Sequence, residues 1–464
     1  VSSQNGIETA TESFEAPEKA PTWLGLQAPR YTSYPSAQHF HRDVNTDQHA
    51  TWLASMEKDQ TISAYVHIPF CRELCWFCGC HTKMTYRDEP IEKYVRVLLD
   101  EIALIGGHAA GKGKLKQIHL GGGSPSLLNQ SQLMSILYAL AAAFEFSPPG
   151  ELAIELDPRT TSEEKIAFYG SLGFTRVSMG IQDFDPKVQK AVNRIQSFEM
   201  VAGLMQHLHD AGIHQINTDL IYGLPYQTIA SFEHTLKQTL SLAPSRIALF
   251  SYAHVPHMKK HQRLIDESTL PDDSAKLLLY RMATDFLLAN GYVAIGIDHF
   301  ARADDSLAVA ASSHRMRRNF QGYVTDTTDI LLGFGTSAIS QFPAGYTQNY
   351  SATHEYSKHI EAEELATCRG WKAGAEDSFR KEIIDTLMCY MEADIGQIAE
   401  RHGLDANICV RELQLLQECA YSDIVHTQGN LVQIATPYRM ASRAVAAVFD
   451  QYQLPDSARY SRVS

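Results

Sequence analysis

The residues best able to do chemistry are concentrated in one short segment of this 464-residue chain. Of its eight cysteines, Cys71, Cys75, Cys78 and Cys80 fall within ten residues, while Cys368, Cys389, Cys409 and Cys419 are scattered. The first three are spaced Cys71-x3-Cys75-x2-Cys78 within HIPFCRELCWFCGC. Three thiolates in one loop suit a soft metal or an iron–sulfur cluster. The spacing admits three readings. A structural zinc site would take Cys80 as its fourth ligand. A disulfide pair would need an oxidising compartment. A [4Fe–4S] cluster on three cysteines would leave one iron open to a ligand.

Other polar residues recur where predicted strands end. Gly121-Gly122-Gly123-Ser124-Pro125 forms a turn that lets backbone approach a ligand closely. Glu155 and Asp157, Gln182, Asp219 and Ser251-Tyr252-Ala253-His254 close later apolar runs. A single carboxylate at a strand end is ordinarily a cap. Polar groups at every strand mouth of one barrel describe a pocket, because chemistry in β/α barrels collects at the C-terminal ends of the strands.

These residues are spaced by a repeating pattern of short apolar run, turn and amphipathic segment from about Ser63 to Phe300. The runs are SAYVHIP (63–69), QIHLG (117–121), LAIEL (152–156), RVSMG (176–180), QINTDLI (215–221) and RIALFS (246–251). Ile91, Tyr94, Val95, Leu98, Leu99 and Ile102 share one helical face, and Ser131 is a predicted N-cap for the run ending near Phe144. Six strands alternating with helices predict an α/β fold of parallel β/α units, a partial (β/α)6 TIM-like barrel, with a doubly wound sheet as the alternative. A further run, YVAIGIDHF, covers 292–300. From about Phe379 helical runs at 379–391, 394–402 and 407–420 precede a hairpin turning at Gln428-Gly429-Asn430 and a last helix at 439–452. That order resembles a winged helix. Residues 379–437 hold four Lys/Arg against nine Asp/Glu, which favours a structural or lid-like role over DNA binding.

The composition bounds the function classes. With 44% hydrophobic and 20% charged residues the chain reads as globular, and its net charge of −13 argues against broad nucleic-acid or anionic-membrane binding. The first 22 residues read as a polar tail without the pattern of a signal peptide, and the apolar stretch Leu133–Phe146 is too short to span a bilayer. A cytoplasmic protein with reduced thiols is expected.

Taken together, the motifs resemble those of the oxygen-independent coproporphyrinogen III oxidase family of the radical S-adenosylmethionine (SAM) superfamily. The matching stretches run from PRYTSYP (29–35) through YVHIPFCRELCWFCGC (65–80), GGGSPS (121–126), IELDPR (154–159) and SMGIQDF (178–184). They continue in QKAVNR (189–194), DLIYGLP (219–225), IDHFAR (297–302), RNFQGY (318–323) and a terminal SRV. The cysteine motif places the chain in the superfamily; PRYTSYP, DHFAR and NFQGY point to this member.

The resemblance implies that Cys71, Cys75 and Cys78 ligate the cluster, with Cys80 outside the ligand set. It implies SAM contacts at Tyr65, Phe77, Gly122, Gly123, Ser124, Glu155, Gln182, Arg194, Asp219, Ala253 and Ile339, and two SAM molecules per site. Arg194 suits a methionine carboxylate through a bidentate pair. The implied reaction is the oxidative decarboxylation of two propionates of coproporphyrinogen III in haem biosynthesis. A 5′-deoxyadenosyl radical would start it, with a low-potential, flavodoxin-like electron donor and an unnamed acceptor. Arg30, Tyr31, Arg263, Arg302 and Arg318 are candidate contacts for the tetra-anionic substrate. The implied organisation is a tail and covering arm (1–55), a barrel (56–305), a connector (306–378) and a helical C-terminal domain (379–464), in a monomer. The chain departs from the family pattern at Gly79-Cys80-His81 and in HMKKHQR (257–263). A related haem chaperone is the rival reading, and as a family it lacks the PRYTSYP arm.

Overall fold

The computed structural model describes residues 28–325, 328–418 and 421–452. The predicted tail over 1–22, Cys419 and the terminal SRV lie outside the described residues. Six strands carry the barrel: β1 (Thr61–Ile68), β2 (Lys114–Gly122), β3 (Glu145–Leu156), β4 (Arg176–Gln182), β5 (Gln215–Tyr222) and β6 (Arg246–Ser251). The principal helices between them are α1 (Glu89–Ala109), α2 (Gln130–Ala143), α3 (Glu163–Ser171), α4 (Phe198–Asp210) and α5 (Ile229–Ser241), and α6 (Asp273–Ala289) follows β6. The six strands lie side by side in chain order, each parallel to the next. That one-way winding is the barrel topology; a doubly wound sheet reverses its order partway.

Sequence and structure agree on the helix faces. In α1, Ile91, Tyr94, Val95, Leu98, Ile102 and Ile105 are buried, the one-face spacing that drives it onto the sheet. The N-cap of α2 is Asn129, not Ser131: Asn129 Oδ1 accepts from Gln132 N–H while Gln132 Oε1 accepts from Asn129 N–H. A reciprocal pair of this kind satisfies two orphan backbone donors, which a Ser131 cap would not.

The run over 292–300 is not one strand. It breaks at Gly296, where φ is +54° and an added Cβ would lie 2.0 Å from the Tyr323 ring. The product is an antiparallel pair, β7 (Tyr292–Ile295) and β8 (His299–Arg302), with β8 against β6. At the other edge β9 (Ile330–Phe334) joins β1 as a seventh parallel strand, with Tyr65 opposite Gly333. The antiparallel strands β10 (Ile339–Phe342), β11 (Gly345–Asn349) and β12 (Thr367–Lys372) extend that edge.

The C-terminal region opens with α7 (Ala375–Tyr390) and continues as helices Ile395–Arg401 and Val410–Leu416, then a hairpin of Val425–Gln428 and Leu431–Ile434. A short strand, Glu392–Asp394, pairs with the hairpin and completes a three-stranded sheet. The predicted last helix is shorter, a 3-10 turn at Thr436–Ala441 followed by Ser442–Ala447. Tyr323 ties this region to the barrel: its hydroxyl donates to Met388 O (3.0 Å) and accepts from Ile297 N–H (2.9 Å).

Candidate active site

The cysteine loop leaves the C-terminal end of β1 and is fastened by backbone. Gly123 N–H donates to Ile68 O and Ser124 N–H to Phe70 O, both at 2.8 Å, so the turn after β2 lies flat against the loop. An added Cβ at Gly123 would come within 2.6 Å of Phe70 O, a contact only glycine avoids. Farther along, Trp76 N–H donates to Val192 O (2.9 Å) and Asn193 Nδ2 to Leu74 O (2.9 Å). Gln262 Nε2 reaches both Phe77 O (3.0 Å) and Ala253 O (3.2 Å), joining the loop to the end of β6.

Cys71, Cys75 and Cys78 face one cavity, together with Cys80, Phe77, Gly122, Gly123, Ser124, Glu155, Gln182, Arg194 and Asp219. Residues from β2, β3, β4 and β5 thus meet the loop at one end of the barrel. A β-bulge between Gly180 and Gln182 turns the last residue of β4 into the site, with Gln182 at φ +69°. An added Cβ at Gly180 would stand 2.4 Å from Gln182 Nε2. Tyr65 lies beside the cavity: its ring stacks on His119 (5.8 Å), which contacts Glu155 Oε1 (3.3 Å). Ile339 opens β10 at the C-terminal end of β9, its carbonyl 2.5 Å from where a Cβ on Gly333 would be.

Two guanidiniums stand against the loop. Arg159 Nη2 and Arg194 Nη1 both reach Cys75 Sγ, at 3.4 Å and 3.5 Å. Both arginines also engage Asp157, at 2.7 Å and 3.7 Å. Burial would raise the Asp157 carboxyl, but Arg194 and Arg159 outweigh it and hold it below the usual carboxylate range. Glu155 behaves likewise: burial is outweighed by His119 and by the Gly122 N–H, which donates at 2.9 Å. Asp219 is the opposite case. Burial, reinforced by the charge of Glu155, pushes it up to about 6. Burial also raises the Cys71 thiol to about 11, although Ser124 Oγ lies 3.7 Å from its sulfur.

His67 is a satisfied core histidine. Its Nε2 donates to His81 O (3.0 Å), which leaves Nδ1 to accept from Tyr65 Oη (3.1 Å).

The chemistry of the donors fits a cluster with a bound zwitterion. Gln182 Oε1 and Arg194 Nε are buried without a hydrogen-bond partner among the described residues, and both side chains line the cavity of the three thiols. An orphaned acceptor and an orphaned guanidinium N–H are what an amino acid's ammonium and carboxylate would satisfy. Among the described residues no three His, Cys, Asp or Glu side chains converge as ligands of a single metal ion.

Of the five substrate candidates, Arg30, Tyr31 and Arg318 are joined by hydrogen bonds, and Arg302 stands apart from them. Arg30 is exposed, and its charge acts on Asp298, whose carbonyl accepts from Leu249 N–H (2.6 Å) in the upper half of β6. Tyr31 is buried, its hydroxyl donating to Asp450 Oδ2 (2.9 Å). Arg318 is buried, its guanidinium donating to Tyr31 O (3.3 Å) and Arg30 O (3.2 Å). Arg263 is exposed on the turn Lys260–Leu264 and does not line the cavity. Arg302 lies at the opposite end of the barrel, because β8 runs antiparallel to β6 and Ala301 pairs with Arg246, the first residue of β6. Arg302 therefore stands away from the barrel mouth, and two of the N–H groups of Arg318 are taken by carbonyls of the arm.

The sequence reading missed Arg159. The available signal was local: Asp157 Oδ1 accepts from both the N–H and Nε of Arg159, a two-residue turn that aims the side chain at the loop.

A model of the radical SAM superfamily matches residues 65–239. Among curated relatives, the oxygen-independent coproporphyrinogen III oxidase of Bradyrhizobium diazoefficiens is 43% identical over 434 residues, covering 94% of this chain and 96% of the relative. The same-named protein of Escherichia coli is 37% identical over 437 residues, 94% of this chain and 95% of the relative. The solved structure of the Escherichia coli coproporphyrinogen III oxidase, described as a radical SAM enzyme, matches with a TM-score of 0.88 at 35% identity. That match covers 92% of this chain and all of the other. With this identity over nearly the full length, and with the three thiols in the barrel mouth, the chain belongs to the oxygen-independent coproporphyrinogen III oxidase family of the radical SAM superfamily.

Proposed function

We propose that this chain catalyses the oxygen-independent conversion of coproporphyrinogen III to protoporphyrinogen IX, two propionates losing CO2 to become vinyl groups. The observation that carries it is the convergence of Cys71, Cys75 and Cys78 with Arg194, Gln182, Glu155 and Asp219 on one cavity. Bound there, a [4Fe–4S] cluster with SAM supplies a one-electron cleavage whose 5′-deoxyadenosyl fragment takes a hydrogen atom from the substrate.

The chain's own residues bind and orient. Arg194 takes the methionine carboxylate with its Nε, Glu155 and Asp219 take ammonium or ribose hydroxyl donors, and the Gly122-Gly123 backbone admits the ligand against the loop. Phe77, Ala253 and Ile339 frame room for a second SAM, a reading supported by Gln262, which fixes Phe77 and Ala253 together. Arg30, exposed on the PRYTSYP arm, is the cation we assign to a substrate propionate. One chain contributes every residue named, which supports a monomer as the working unit. A cluster on free thiols suits the reducing cytoplasm. One further electron per vinyl group leaves to an acceptor.

The test is anaerobic incubation of the reconstituted, reduced protein with SAM and coproporphyrinogen III. Formation of 5′-deoxyadenosine with the divinyl product is expected. Haem binding with no such turnover would favour the chaperone reading and reject this one.

A further inference from the structure

The segment 257–263, HMKKHQR, holds five basic side chains and no acidic one in a chain of net charge −13. It follows β6 and rests on the cysteine loop. His261 Nε2 donates to Cys78 O at 2.7 Å, and Lys259 Nζ donates to Cys80 O at 2.9 Å. Those two side chains are committed to the loop. His257, Lys260 and Arg263 are exposed instead, flanked by Met258 at 61% and Leu264 at 60% exposure. The next carboxylates do not neutralise them: Asp266 accepts from Ser268 N–H (3.0 Å), and Glu267 pairs with His254 (3.0 Å).

Exposed cations interleaved with large apolar side chains are the make-up of a protein-binding surface rather than of solvated surface. None of residues 257–264 lines the cavity of the three thiols, and His257, Met258, Lys260, Arg263 and Leu264 are exposed on the outside of the loop's support. This surface is nonetheless one hydrogen bond from the backbone of a cluster ligand. Electron delivery requires just that: a partner close to the cluster.

We propose that this surface docks an acidic, low-potential one-electron carrier protein, and that the electron enters the cluster beside Cys78. The inference rests on the function proposed above. The transfer is balanced without further reactants: the carrier is oxidised by one electron, the cluster is reduced by one, and no bond or proton moves. Charge complementarity selects the partner, since an acidic carrier is repelled by the chain as a whole and drawn to this segment.

The test uses reconstituted holoenzyme carrying Met258→Asp with Lys260→Glu, two exposed positions whose side chains make no hydrogen bond to the loop. An acidic flavodoxin in its hydroquinone form is the protein donor, dithionite is the small donor, and loss of cluster absorbance is followed by stopped flow. The variant should be reduced by flavodoxin about tenfold more slowly at low ionic strength. The deficit should shrink as salt is raised, and dithionite should reduce both proteins equally. An unchanged flavodoxin rate overturns the proposal. So does an unchanged rate accompanied by a raised KM for coproporphyrinogen, which would give the surface to the substrate. Cluster reduction needs no substrate turnover, so this result is independent of whether decarboxylation is observed.

Discussion

Arg194 donates to Cys75 Sγ at 3.5 Å through Nη1, while its Nε, buried in the same cavity, has no partner among the described residues. One guanidinium therefore touches a cluster ligand and offers an N–H for a cofactor carboxylate. Its other nitrogen is anchored on Gly180 O at 2.6 Å, so the side chain is held in place before anything binds. Replacing Arg194 with Met should weaken SAM binding by about 2 kcal/mol, roughly thirtyfold. Iron content should be unchanged. Calorimetric titration of the reconstituted protein with SAM measures the first and iron analysis the second; equal SAM affinity in the two proteins would remove Arg194 from the site.

The four loop cysteines line one cavity and differ in exposure. Cys75 is buried between two arginines, whereas Cys80 is exposed and its carbonyl is taken by Lys259. Cys75→Ala should abolish the cluster, and Cys80→Ser should keep its iron, sulfide and visible absorbance. A colourless protein that binds one zinc and loses it in Cys80→Ser would mark a four-thiolate structural site instead.

How much of this was legible beforehand depends on how local each signal is. The cysteine spacing, the glycine turn and the carboxylates at strand ends are short-range patterns, and all of them reached the barrel mouth. Strand order was open to periodicity only as two alternatives, since a repeat of strand and helix does not say whether the winding reverses. The long-range features were out of reach. Arg302 follows an apolar run like those of the barrel strands, yet the turn at Gly296 reverses the chain and carries Arg302 to the far end. Arg318 reads as a free cation in sequence and is occupied by carbonyls 287 and 288 residues away. The strand Glu392–Asp394 is only three residues long and exists because a hairpin forty residues later supplies its partner.

Glu101 gives the fold a pH dependence. It is fully buried in α1 and accepts from Gly335 N–H (2.6 Å), Asn349 Nδ2 (2.5 Å) and Tyr356 Oη (2.7 Å), fastening the β9–β11 edge to the barrel. Burial outweighs these three donors and pushes the carboxyl from 4.5 to about 7. Below 4.5 both folded and unfolded chains hold the proton; above about 7 both have lost it. Between these limits the folded state binds more protons, so stability falls as pH rises through the window, by about 3 kcal/mol in all. Glu101→Gln should flatten that slope between pH 5 and pH 8 in denaturant titrations. A variant whose stability falls as steeply as the wild type would assign the slope to other acids.

The PRYTSYP arm is held by buried cations rather than by apolar packing alone. Arg443 Nε donates to Pro29 O at 3.1 Å and its Nη2 to Ala28 O, and Arg318 takes the next two carbonyls. Burial lowers Arg443 to about 9, a cost the fold sustains to hold the arm that carries Arg30. Arg443→Met removes a charged donor from two carbonyls, worth about 2 kcal/mol of local stability. The arm should then be cut by protease under native conditions, and the KM for coproporphyrinogen should rise about tenfold, the same free energy within a factor of two. SAM affinity and dithionite-driven SAM cleavage should not change, because no residue of the arm lines the cavity of the three thiols. An arm that is readily cut while KM stays constant would show that it covers the barrel without touching substrate.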